Sequence, residues 1–134
     1  MVISRETDYA IRIIRALAHN DKLTIAEICK IEFLPMPFAY KILRDLDKAH
    51  IVRVWRGRNG GCELAQDLKK ISLYDVMRAL DPEPYVSACL RDSFICAARG
   101  PHNICTVHNN LERLQRDMDK QLQAISMEKL FSAG

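Results

Sequence analysis

Residues 24–64 read TIAEICKIEFLPMPFAYKILRDLDKAHIVRVWRGRNGGCEL, and the fold is decided there. Thr24-Ile25-Ala26-Glu27 has the form of a capping box, in which the Thr hydroxyl accepts an early helical amide and the Glu carboxylate reaches back. It opens a short helix whose apolar face is Ile25, Ile28, Cys29 and Ile31. Pro35 and Pro37 forbid a helix through that point, yet Pro37 suits the first helical position, where its missing N–H is not needed. From Phe38 to about Ala49 the helical period returns, with Ala39, Ile42, Leu43 and Leu46 inward. Tyr40, Lys41, Arg44, Asp45 and Lys48 fall on the other face. Two short helices joined by a tight turn, the second cationic outside, predict a helix-turn-helix. His50–Trp55 then alternates with period two, Arg56–Gly61 is a glycine-rich turn, and Cys62 begins a return strand. A β-hairpin wing therefore follows the basic helix directly.

Working outward, Arg5–His19 carries Tyr9, Ala10, Ile13, Ile14, Ala16 and Leu17 at helical spacing, with Ser4 as its cap and Asn20-Asp21 as its end. Ser72 caps a helix over Leu73–Leu80, halted by Asp81-Pro82. Residues 81–106 have no clean period, which is uncommon inside a domain unless the segment is functional or disordered. Beyond it Val107, Leu111, Leu114, Met118, Leu122 and Ile125 recur at intervals of three and four, one narrow stripe that predicts a partner helix. Ser126 caps a last short turn over Met127–Phe131. The expected fold is mainly α with a small β-hairpin: a winged helix-turn-helix over 1–80, a cysteine-containing sensor loop over 81–106, and a dimerisation helix with its tail over 107–134.

Bulk properties narrow the function. The chain has 134 residues, is 49% hydrophobic and carries a formal net charge of +3, which describes a folded domain rather than a disordered one. It lacks any apolar run long enough for a membrane span, and the N-terminus MVISRETDYA is charged where a secretory signal needs an apolar core, so a cytoplasmic location is expected. The positive excess is concentrated: residues 35–62 hold Lys41, Arg44, Lys48, Arg53, Arg56 and Arg58 against Asp45 and Asp47. A cationic face on one supersecondary unit is the footprint of nucleic-acid binding. Tyr40, Lys41, Arg44 and Lys48 are the candidates on the recognition helix, and Arg56 and Arg58 on the wing, for phosphate neutralisation and groove insertion into double-stranded DNA.

Five cysteines in a reducing compartment point to metal or redox chemistry rather than a disulfide framework. Cys29 and Cys62 fall on inward faces and read as core. Cys89, Cys96 and Cys105 lie in the irregular segment, followed by His108, in the pattern Cys-x6-Cys-x8-Cys-x2-His, with His102 a weaker candidate inside it. Thiolates are soft ligands suited to iron–sulfur clusters, zinc or copper(I), and a bound metal offsets the ordering entropy of a long loop. The close Cys-x2-Cys pairs of zinc sites are missing. A Cys–His hydrolase built on Cys105 and His108 would need an oxyanion hole, and no glycine-rich turn lies near Cys105 to make one, so no enzyme is expected.

Thr7-Asp8-Tyr9-Ala10, Ile42-Leu43-Arg44-Asp45-Leu46 and Val54-Trp55-Arg56-Gly57-Arg58-Asn59-Gly60-Gly61 together resemble the winged-helix transcription regulators that include IscR, NsrR and CymR, in their iron–sulfur-binding branch. The likeness runs over nearly the whole chain. It implies a homodimer whose long helix crosses to the partner subunit, binding to a palindromic operator, and a repressor whose DNA affinity is set by a [2Fe–2S] or [4Fe–4S] cluster. By resemblance the cluster cysteines are Cys89, Cys96 and Cys105, at longer intervals than the family's. The same resemblance offers two further ligands, His108 as in IscR-like members and Asp8 of the other subunit as in NsrR-like ones. A thiol-redox or metal-ion sensor of the same fold is the alternative. One departure is plain: Pro35-Met36-Pro37 stands where the family carries a Ser-rich lead-in to the recognition helix.

Overall fold

The helix starts expected at Ser4, Thr24, Ser72 and Ser126 are realised by side-chain capping. In the computed structural model, which describes residues 3–98 and 104–133, the Ser4 hydroxyl accepts the Thr7 amide at 3.1 Å and opens α1 (Arg5–His19). Thr24 and Glu27 complete their capping box at 3.1 and 3.0 Å to open α2 (Ile25–Glu32), an arrangement worth about 1 kcal/mol. Helix α2 ends at Phe33 in the left-handed region with φ 56°, uncommon for a residue with a Cβ. Its face differs from expectation at one position. Ile31 is 46% exposed and Glu32 is buried instead, because Arg15 of α1 reaches Glu32 with two charge-assisted bonds of 3.0 and 2.6 Å.

Helix α3 (Met36–Lys48) starts one residue before Pro37, the expected first helical position, with Pro35 as its N-cap and Pro37 inside the first turn. Ala39, Ile42, Leu43 and Leu46 are buried as the period requires. The wing is β1 (Val52–Trp55) antiparallel to β2 (Gly61–Leu64), with Val52 opposite Leu64 and Trp55 opposite Gly61. The first strand begins later than His50 because His50 itself turns the chain at φ 61° and the Ile51 amide still bonds back to Leu46 at 3.0 Å. Cys62 exchanges both backbone bonds with Leu23, at 2.7 and 3.1 Å, and so ties the wing to the α1–α2 connection.

Ser72 and Asp75 form a second capping box at the start of α4 (Leu73–Leu80). Apart from a short 3-10 turn at Ala88–Leu90, the described residues between α4 and α5 (Thr106–Gln123) are irregular, as the missing period predicts. Helix α6 (Met127–Phe131) starts at Ser126. The Leu73 amide donates to Ile125 at 2.8 Å and the Met127 amide to Ile71 at 2.7 Å, fastening the end of α5 to the start of α4. One core results, with Ile13, Ile14, Ile28, Ile42, Leu43, Leu46, Val52, Ile71, Val76 and Met127 all fully buried, each contributing about 1.5–3 kcal/mol. Among the described residues no helix is long and apolar enough to cross a membrane.

Candidate nucleic-acid interface and cysteine segment

Because the inward face of α3 is spent on the core, its remaining side chains are committed outward. Tyr40, Lys41, Arg44 and Lys48 are exposed, as are Arg56 and Arg58 at the wing turn. Between helix and wing lies a groove of about 660 Å³, lined among others by Met36, Tyr40, Arg44, Trp55, Arg56 and Arg58. The turn holds its shape through glycine. Gly57 sits at φ 97°, and a Cβ on Gly60 would meet the Gly57 and Trp55 carbonyl oxygens at 2.8 Å, so neither position accepts a side chain without strain.

Two residues outside the sequence-derived set act on this face. Lys22 donates to the Asn59 carbonyl at 3.0 Å and holds its ammonium 4.5 Å above the Trp55 ring, clamping the wing from the α1–α2 connection. Glu6 pairs with Lys41 at 3.0 Å, so that cation is partly neutralised by α1. Neither contact has a local signal, since the partners lie 37 and 35 residues apart.

The five cysteines divide as expected into two sets. Cys29 and Cys62 are buried and all five are free. Burial pushes the Cys29 thiol up, and pushes Cys62 up to about 11, with Asp47 adding to it; a thiol held protonated is a poor metal ligand. Cys89, Cys96 and Cys105 are half-buried. Cys89 Sγ lies 3.3 Å from the Ser87 hydroxyl. Cys105 is the N-cap of α5, its sulfur accepting the His108 amide at 3.4 Å, so these two candidate ligands share the first turn of one helix. Asp8 sits on α1, paired with Arg12 at 3.2 Å. The candidates are not drawn to one point: among the described residues no three His, Cys, Asp or Glu side chains form a metal-ready group. His102 lies outside the described residues. The donor chemistry nonetheless fits an iron–sulfur group, with three unbridged thiols that are not sealed in the core and a histidine in the helical turn that one of them caps.

Gln115, the buried polar residue of α5, accepts the Val86 amide at 2.7 Å and donates to Asp119 at 2.7 Å. With the Cys105 cap it fastens the irregular segment to α5 at two places. The stripe on that helix is uneven. Leu122 and Ile125 pack against the core, whereas Val107 is 64% and Leu114 47% exposed.

The chain is similar to known proteins over nearly its whole length. The Rrf2 family pattern, described as an iron-dependent transcriptional regulator, matches residues 3–133. A helix-turn-helix-type transcriptional regulator of Aquifex aeolicus is 28% identical, over 98% of this chain and 92% of that protein. NsrR of Oceanobacillus iheyensis is 26% identical, over 98% and 90%. Among solved structures, T. potens IscR superposes with a TM-score of 0.70 at 19% identity, covering 97% of this chain and 85% of that one. CymR (YrzC), the global cysteine regulator of B. subtilis, gives 0.73 at 19%, covering 97% and 95%. The arrangement is that of a winged helix-turn-helix regulator, and the chain belongs to the Rrf2 family of transcriptional regulators.

Proposed function

We propose that this regulator is a homodimer that binds a palindromic operator through α3 and the wing, with its DNA affinity controlled by an iron–sulfur cluster on Cys89, Cys96 and Cys105. The observation that supports it most is the division of the thiols: the three on the irregular segment are half-buried and unbridged, while the other two are sealed in the core. When bound, such a cluster supplies a thiolate-held redox centre whose charge and integrity follow conditions. The protein's part is mechanical. Cys105 caps α5 and Gln115 holds the Val86 amide, so a shift of the segment acts on the helix whose exposed Val107 and Leu114 meet the second subunit. Movement of that helix changes the spacing of the two recognition helices, a two-state bias on DNA-competent populations. Repression is the expected outcome, by occupation of the operator.

His108 is the favoured fourth ligand, since its place one turn from Cys105 needs no second element, whereas the Asp8 carboxylate is already paired with Arg12. The domain division 1–80, 81–106 and 107–134 follows from the same roles. The deciding experiment is anaerobic purification followed by a visible spectrum and iron and sulfide assays. Brown protein with both elements supports the cluster. Colourless protein without iron, whose operator affinity follows thiol oxidation, supports the redox-sensing alternative, which the free, half-buried state of Cys89, Cys96 and Cys105 also suits.

A further inference from the structure

Phe33-Leu34-Pro35-Met36-Pro37-Phe38-Ala39-Tyr40 leads into α3, and the Tyr40 hydroxyl is its sole side-chain hydrogen-bonding group. Pro35 makes no side-chain cap bond. Met36, Phe38 and Tyr40 are nonetheless exposed, on the helix that also presents Arg44. The apolar residues face different ways. The Phe38 ring meets Tyr9 edge-on, centroids 6.0 Å apart, toward α1. Met36 and Tyr40 line the groove with Arg44 and the wing arginines, and their spacing of four places Met36, Tyr40 and Arg44 along one strip of the helix.

The occupant of this strip is set by charge. Arg44, Arg56 and Arg58 surround it against the single acid Asp47, which selects a polyanion. The apolar mark that a B-form major groove displays is the C5-methyl of thymine. We infer that Met36 and Tyr40 read thymine methyl groups in the major groove, while Arg44, one turn on, holds the phosphate backbone beside them. This rests on the DNA-binding reading above. Four residues rise about 6 Å along a helix, so the two methyls belong to thymines about two base steps apart, each step being about 3.4 Å.

The test starts by selecting binding sites from a randomised DNA duplex library with the full chain. In the selected duplex each thymine is then replaced singly by deoxyuridine, which removes the methyl and keeps base pairing. At the two read positions the replacement is expected to weaken binding about fourfold, the worth of one buried methyl group, with little change elsewhere. Met36→Ala abolishes the penalty at one of the two positions and leaves the salt dependence intact, while Met36→Leu preserves both. Equal affinity for thymidine and deoxyuridine at every position overturns the inference and leaves DNA binding standing. No enriched sequence together with no salt-dependent duplex binding overturns the DNA-binding reading itself. The deoxyuridine series with the unaltered chain decides the matter even if Met36→Ala does not fold.

Discussion

Helices α1 to α4 with the wing and the stretch from residue 81 through α5 handle their apolar side chains in opposite ways. In the first region nearly every residue that the period turns inward is buried, and Ile13, Ile28, Leu43, Leu46 and Val76 meet in one core. In the second, among the described residues from 81 to 125, Pro84 and Gln115 alone are buried. Ile95 is 90% and Ile104 80% exposed there. One scattered apolar side chain on a surface is ordinary, but a succession of them marks an interaction site. The first region is determined by its own packing. The second leaves most of its apolar side chains outside that core.

The strongest way to break that comparison is through the thiols. Cys89→Ser, Cys96→Ser and Cys105→Ser are each expected to abolish visible absorbance of the anaerobically purified protein, whereas Cys29→Ser leaves it. Colour that survives Cys96→Ser removes that ligand from the site. The next effect belongs to the first region. With Lys41, Arg44, Arg56 and Arg58 on phosphates in both subunits, log K should fall against log salt with a slope of about −7, or about four decades between 50 and 200 mM. A titration slope shallower than about −2 would put the footprint elsewhere.

Third in size is the stripe on α5. Leu114→Glu with Met118→Glu places charge in the proposed seam and should give monomers by sedimentation, with operator affinity lowered by about a hundredfold as two-site binding is lost. A dimer of unchanged stability would locate the interface on another surface. The smallest effect separates the fourth ligands. His108→Ala should make the cluster labile and alter its spectrum, while Asp8→Ala leaves both nearly unchanged. The reverse result would join the second region to the partner's first region through α1.

What the sequence made legible follows from how local each determinant is. The Thr24–Glu27 box, the Ser72 cap and the inward set of α3 are all contained within a few residues, and the structure bears them out. Ile31 was misjudged because periodicity extends a face without marking where it ends. The pull of Arg15 on Glu32 instead gives the last inward position to residue 32, with the turn at Phe33 directly after it. That ion pair, the Lys22 clamp and the Gln115 tether join residues 17, 37 and 29 positions apart, beyond the reach of any pattern. The thiols show the same limit. Their burial classes were legible from the elements they occupy, but whether Cys89, Cys96 and Cys105 meet depends on loop geometry that carries no period.

The Lys22 clamp has one more consequence. Trp55 is the chain's single tryptophan, and two cations bear on its ring, the Lys22 ammonium at 4.5 Å and the Arg53 guanidinium at 5.9 Å. Indole fluorescence responds to nearby charge, so the hairpin carries a built-in optical reporter. A duplex that draws Lys22 toward a phosphate withdraws charge from the indole and shifts its emission. Insertion of α3 alone leaves that field in place. The colour of this one residue therefore distinguishes grip by the hairpin from grip by the helix, without any label.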